Sequence, residues 1–254
     1  MNKFTRRTVI AAACAAAAMT FGPMSFAQQA PEKKDVTIAV GGKSLYYYLP
    51  LSIAEQLGYF KDEGLNVKIV DFQGGSRSLQ AVVGGSADVV SGAFEHTISM
   101  QAKKQPMTAF VLQGRAPQLA LVVSNKTMKD YKQLSDLKGK KVGVTAPGSS
   151  SQMVANFILK KGGLGPKDVA FIGVGSSSGA VSAIRSGQID ALINLDPVIT
   201  ILLKNGDAKL VADTRKVKES ESFFDACRLP LRTGFFHRKE SPDCSGSDQR
   251  HRPC

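Results

Sequence analysis

Two short bends carry residue types suited to holding a small polar molecule. Gly74, Gly75 and Ser76 precede the apolar run at 79–83, and Gly148, Ser149 and Ser150 precede the run at 153–161. A glycine–serine bend that opens a helix leaves backbone N–H groups without intrahelical partners, and the helix dipole adds partial positive charge there. Such a bend suits an oxygen of a sulfonate, carboxylate or nitrate. Serine as an ordinary helix N-cap is the plainer reading, and the two roles are compatible. A third polar group, Gly92, Ala93, Phe94, Glu95, His96 and Thr97, follows the apolar pair Val89 and Val90. With that pair in a strand, the group sits at a carboxyl end, where open α/β sheets bind ligands. His96 reads there as a hydrogen-bonding wall residue rather than a catalyst, and Glu95 as a group that orients its neighbours. Tyr46, Tyr47 and Tyr48 follow Lys43 and Ser44; they either line a cleft or pack against a sheet.

The elements that must position these residues follow from periodicity. Residues 36–40 and 65–70 read as strands, with a helix over 46–57 between them. Pro50 belongs in the first turn of that helix and Gly58 ends it. A helix over 97–103 and apolar strands at 107–113 and 119–123 come next. The second half repeats the plan: a helix or turn at 131–138, then strands at 141–145, 169–174 and 209–212, with helices at 153–161 and up to Leu203. Alternating strands and helices argue for a mostly parallel sheet covered on both faces. Gly85 and Gly187, and likewise Asp88 and Asp190, stand 102 residues apart with no gap between them. Self-similarity at one offset points to two related α/β lobes facing each other across a cleft. The matched placement of Asp88 and Asp190 favours a structural corner role over chemistry.

The chain has 254 residues, 43% hydrophobic, with a net charge of +12. Three of those charges (Lys3, Arg6, Arg7) fall in the first 27 residues. The remainder are scattered, which reads as a solvated basic surface or a preference for anions. No basic run interleaved with aromatics suggests nucleic acid. The cysteines are Cys14, Cys227, Cys244 and Cys254, with no CxxC pair, so the body needs no disulfide, zinc or other cofactor. Residues 1–27 read as an export signal: Arg6 and Arg7, an apolar run over 9–21, and Ser25-Phe26-Ala27 as the cleavage site. The arginine pair fits the twin-arginine route, and Sec export stays open. A periplasmic location follows.

The segment from Ser52 through Ala54, Glu55, Gln56, Leu57, Gly58, Tyr59 and Phe60 to Leu65 carries a resemblance. It continues through the bends at 74–76 and 148–150, Ile184–Asp190 in the repeat, and Leu195, Asp196, Pro197 and Val198. Over residues 36–215 the chain resembles periplasmic solute-binding components of ABC importers, in the subgroup handling nitrate, sulfonates and taurine. The resemblance implies a two-lobed periplasmic-binding-protein fold of type II, with two crossing strands and hinge closure. It places a signal at 1–27, a linker at 28–34, one lobe at 35–124 and the other at 125–222. It implies a monomeric receptor, not an enzyme, that captures a small anionic solute and delivers it to the transmembrane subunits of a permease. The contacts it implies are Ser44, Gly75, Ser76, Phe94, His96, Gly148, Ser149, Ser150 and Asp196. Relatives that make a thiamine-precursor pyrimidine supply the alternative. They are implied to need a histidine donor and a cysteine-rich iron motif, and no such motif stands in this chain.

Residues 223–254 depart from this pattern. They hold three of the four cysteines and two of the three histidines, and no valine or isoleucine. Synonymous codons for Phe224 to Gly234, read one base later, permit STPAVCLYVPA, and those for Asp243 to Cys254 permit TVQALTNAIVRA. The first is an apolar strand with a proline exit and the second an amphipathic helix. A frameshift just before residue 224 is therefore expected, with an aberrant, disordered tail. The displaced strand would be the second crossing segment, paired with 119–123, and the displaced helices would cover the first lobe. Without them a strand edge and an apolar face are expected to lie open.

Overall fold

The sequence DVTIAV forms the first strand, β1 (Asp35–Val40), whose last three residues are buried. The computed structural model describes residues 31–114, 117–216 and 233–238. β1 lies parallel to β2 (Asn66–Asp71) on one side and β3 (Val89–Ala93) on the other. A 3-10 turn at Tyr46–Tyr48 and the helices α1 (Leu49–Gln56) and α2 (Tyr59–Asp62) connect β1 to β2. Pro50 sits in the first turn of α1, where its missing N–H costs nothing. Gly58 adopts φ 79° between α1 and α2, a left-handed conformation that glycine takes without penalty. The helix α3 (Gly75–Val83) buries Ser78, Leu79, Ala81 and Val82 against the sheet. The helix α4 (Glu95–Ala102) follows β3 directly, and β4 (Met107–Gly114) closes the sheet. The order is β2-β1-β3-β10-β4, with β10 (Thr233–Arg238) antiparallel to both β3 and β4.

The second sheet has the order β7-β6-β8-β5-β9. Its elements are β5 (Ala120–Ser124), β6 (Lys141–Val144), α5 (Ser150–Lys161), β7 (Ala170–Gly173), α6 (Ser178–Ser186), β8 (Ala191–Asn194), α7 (Val198–Lys204) and β9 (Ala208–Asp213). β6 runs parallel to β7 and β8, while β5 runs antiparallel to β8 and β9. All residues of β5 are buried, which is why it reads as an unbroken apolar run.

The 102-residue repeat is reproduced hydrogen bond by hydrogen bond. Ser86 and Ala87 N–H both donate to Ala81 O; Gln188 and Ile189 N–H both donate to Ala183 O. Gly85 and Gly187 take φ 76° and 82°. Asp88 Oδ2 accepts from Thr37 N–H at 2.8 Å, and Asp190 Oδ2 from Lys141 N–H at 2.9 Å. Each aspartate also donates its own N–H back to the carbonyl of the same residue. Both carboxylates therefore tie a helix-to-strand corner to the neighbouring parallel strand, β1 or β6, the corner role expected of them.

Three apolar clusters hold the elements together. One lies on the α3 face of the first sheet around Val82, Val90 and Met100. Another lies beneath α6 and α7 around Ile184, Leu192 and Leu202. The largest is continuous across both sheets, running from Val40, Leu45, Tyr48 and Leu51 to Leu121, Val144, Ile158 and Leu195. It joins the two sheets through one shared core.

Several expectations are corrected. The first lobe was expected to extend to 124, yet β5 hydrogen-bonds entirely within the second sheet. An apolar run does not itself show which sheet receives it. The second crossing strand was expected beside 119–123, but β8 and β9 occupy both edges of β5. Thr233–Arg238 lies in the segment expected to be disordered and forms a strand in the first sheet; its Phe-Phe pair has strand propensity. The helix or turn at 131–138 is a single 3-10 turn, Leu134–Leu137, closed by a capping box between Gln133 and Asp136. On β4, Phe110, Val111 and Leu112 are 54%, 44% and 49% exposed, on both faces of the strand. The export signal at 1–27 and the rest of the tail lie outside the described residues.

Candidate functional site

The two glycine–serine bends face each other. Ser149 Oγ accepts from Ser76 N–H at 3.0 Å, and Ser76 Oγ donates to Pro147 O at 2.8 Å. The two hydroxyls lie 3.2 Å apart. Close backbone approach makes this contact possible. A Cβ on Gly74, which has φ 108°, would stand 2.7 Å from Ala146 Cβ. A Cβ on Gly42, at φ 122°, would collide with Ser176 Oγ. Tyr46 N–H donates to Asp196 O at 3.1 Å and adds another bridge between the lobes. The bends share a groove as expected, but they are latched to each other. Ser76 N–H is spent on Ser149, Gly148 N–H donates to Gln152 Oε1 and Thr145 N–H donates to Ser151 Oγ. Those amides are not open for an anion.

Beside this latch lies a small cavity with an open mouth. The first lobe supplies Gly41, Leu45, Tyr47, Tyr48, Gly75, Gly92, Ala93, Glu95 and His96. Thr145, Ser150, Val154 and Leu195 come from the second lobe, and Pro117 and Leu119 from the segment just before β5. Tyr47 and Tyr48 meet edge to face with centroids 4.8 Å apart. Tyr48 is held by a hydrogen bond from Gly41 N–H at 3.0 Å, and burial pushes its phenol well above the ordinary value.

Glu95 is the first residue of α4, so the N-terminal dipole of that helix favours its charge. Both carboxylate oxygens are shut off from solvent and, apart from its own backbone N–H, meet no partner. Desolvation pushes its pKa up to about 7. His96 is buried next to it, and Nε2 has no hydrogen-bond partner. Its ring fits a notch made by two glycines. A Cβ on Gly75 would stand 3.3 Å from Nε2, and one on Gly92 would stand 3.5 Å from Cδ2. Burial, with a smaller contribution from Lys103, pulls His96 down to about 4, so the imidazole is neutral near pH 7.

Of the contacts implied by resemblance, Gly75, His96 and Ser150 line the cavity. Ser76 and Ser149 form the latch, and Gly148 sits at its rim. Ser44 is exposed, and Phe94 packs against the α3-side cluster. Asp196 has both carboxylate oxygens engaged by partners of its own lobe. Oδ1 accepts from Thr200 N–H and Oγ1, and Oδ2 from Arg215 at 2.8 Å. Arg215 also binds Asp213 through two nitrogens. Burial works against the Asp213 charge, but these bonds pull its carboxyl below the usual range. Glu95 was expected to orient neighbours and instead lines the wall unpartnered. A carboxylate directly before a histidine at a strand's carboxyl end was the available signal. Two of the three tyrosines line the cleft, one of the two readings open for them. Among the described residues, no cluster of three or more His, Cys, Asp or Glu is arranged to hold a metal.

A family model described as NMT1/THI5 like matches residues 46–216, more than half of the chain, and the chain belongs to that family. A protein of Bordetella bronchiseptica RB50 with a solved structure is 58% identical, with a TM-score of 0.78 over 81% of this chain and 64% of that one. The alkanesulfonate-binding protein SsuA of Xanthomonas axonopodis pv. citri, solved with MOPS, is 22% identical with a TM-score of 0.64, covering 83% of this chain and 67% of that one. This likeness shows the periplasmic-binding-protein fold. YtlA of Bacillus subtilis, named as a binding protein, is 25% identical over 84% of this chain and 63% of its own length. The 4-amino-5-hydroxymethyl-2-methylpyrimidine phosphate synthase of Schizosaccharomyces pombe is 27% identical over 63% of this chain and 45% of its own. The chain thus spans about half to two thirds of the length of these curated relatives.

Proposed function

We propose that this chain is the solute receptor of an ABC importer. Its two lobes close on a small solute, and the closed form docks on the transmembrane subunits of a permease. The observation that carries this reading is a cavity walled by both lobes beside a latch that joins them directly. A solute touching both walls favours the closed state over the open one by its differential contacts. The likeness in fold to a sulfonate-binding protein supports the same reading. Work outside the inner membrane, as a monomer, agrees with the leader read at 1–27; among the described residues no helix is long and apolar enough to cross a membrane. Sulfonate, nitrate and taurine are the solutes suggested by resemblance, but among the described residues the cavity lining holds no lysine or arginine to receive them.

The test is a small-solute screen on the full chain, read by melting temperature and small-angle scattering. A saturable rise in Tm with a fall in radius of gyration is expected. A Tm indifferent to every solute would count against the receptor. The pyrimidine-synthase reading draws on the named relatives and on neutral His96 in the wall. It expects a histidine to be consumed with ferrous iron, visible by intact mass, whereas the receptor is unchanged by iron.

A further inference from the structure

Glu95 brings two carboxylate oxygens with no partner beyond its own backbone N–H. On the second-lobe wall Thr145 Oγ1 is paired with Ser151 Oγ at 2.8 Å, and the hydroxyl donors that remain in the lining are uncharged. Leu45, Leu119, Val154 and Leu195 supply apolar surface, and Tyr47 and Tyr48 supply aromatic surface. A buried carboxylate without a partner is costly, and a binding site can recover that cost only from a ligand that supplies the missing donors. An anion placed in the same cavity would face that carboxylate with no lysine or arginine among the described lining residues to offset the repulsion. A planar pair of N–H groups matches a carboxylate fork to fork, and its positive charge is also attracted to tyrosine ring faces.

Resting on the receptor reading, we propose that the solute is a small organic cation bearing an amidinium or guanidinium group, received by Glu95 and flanked by His96. The glycine notch fixes the imidazole, so Nε2 offers a second polar contact at a set position. Cation binding draws Glu95 into its ionised form and so expels a proton from the fraction that is protonated beforehand. The other titratable groups on the wall are His96, neutral near pH 7, and Tyr47 and Tyr48, with the Tyr48 phenol pushed upward. Among the described residues, Lys103 is the charged group acting on His96. The sign of proton exchange on binding therefore reports on Glu95.

The experiment is calorimetric titration of the full chain near pH 7 in two buffers of different ionisation enthalpy. The probes are benzamidinium, its neutral counterpart benzamide, methanesulfonate and nitrate. Benzamidinium is expected to bind at least tenfold more tightly than benzamide and to release about half a proton, since Glu95 titrates at about 7. Glu95→Gln is expected to erase both the preference and the proton release. Tighter binding of methanesulfonate or nitrate, with proton uptake, would overturn the cation and leave the receptor reading standing. Equal binding of benzamide and benzamidinium would overturn it too. No saturable binding of any probe by a chain with a cooperative melt would count against the receptor reading and take this proposal with it.

Discussion

Glu95→Gln makes the stability cost of the site measurable. Moving this carboxyl from its ordinary 4.5 to about 7 corresponds to about 3 kcal/mol of preference for the neutral form. The folded state holds the proton more tightly than the unfolded chain. The stability contributed by neutral Glu95 is thus fully present below pH 4.5 and is lost as pH rises through 7. Glutamine keeps the shape and never charges. The variant should match the parent near pH 4.5 and exceed it by up to about 3 kcal/mol at pH 8. For a chain of this length that is a Tm gain on the order of 6–12 °C. His96 works in the other direction, because its folded pKa is lowered from 6.5 to about 4. The stability from neutral His96 is complete above pH 6.5 and is lost as pH falls through 4. In the parent the two trends offset each other over the acid range; the variant should show the histidine trend alone. Urea denaturation from pH 4 to 8 measures both. A difference between variant and parent that is flat in pH, or a variant less stable at pH 8, would refute the account of Glu95 as a buried, uncompensated charge.

Other perturbations test the frame around the site. Asp88→Ala and Asp190→Ala should each cost about 1 kcal/mol, because each removes the acceptor of a backbone N–H that pins a sheet corner. The two costs should add, since the corners share no partner, and urea melts of the double variant check this. Gly42→Ala introduces a Cβ against Ser176 Oγ at a positive φ, so it should hold the lobes apart; an unchanged radius of gyration by small-angle scattering would contradict this. DNA sequence across codon 224, set against the gene of a close homologue, should show a one-base offset; genes in register throughout would remove the frameshift.

Much of the frame was legible because local chemistry and global fold agree. The 102-residue repeat foretold two matching corners, and Asp88 and Asp190 make the same bonds in both. Pro50 and Gly58 marked where α1 starts and stops. The destination of β5 was hidden, because a fully buried run reads the same in either sheet. The site was read less well. Helix-opening amides look free in a sequence, and only the approach of the second bend shows Ser76 N–H spent on Ser149. Asp196 looked available because the partner that occupies it, Arg215, lies 19 residues away in the chain. Glu95 escaped notice as a wall residue because burial and the lack of partners are tertiary properties.

The duplication also explains why the cleft is electrically one-sided. At the repeat's spacing of 102 residues, Glu95 and His96 correspond to Pro197 and Val198. Val198 is 2% exposed, inside the apolar cluster of its own half. One copy of the corner carries ionisable groups and the other carries hydrocarbon. A guest entering between the halves meets a carboxylate and an imidazole on one wall, and only the uncharged hydroxyls of Thr145 and Ser150 among the described residues of the other.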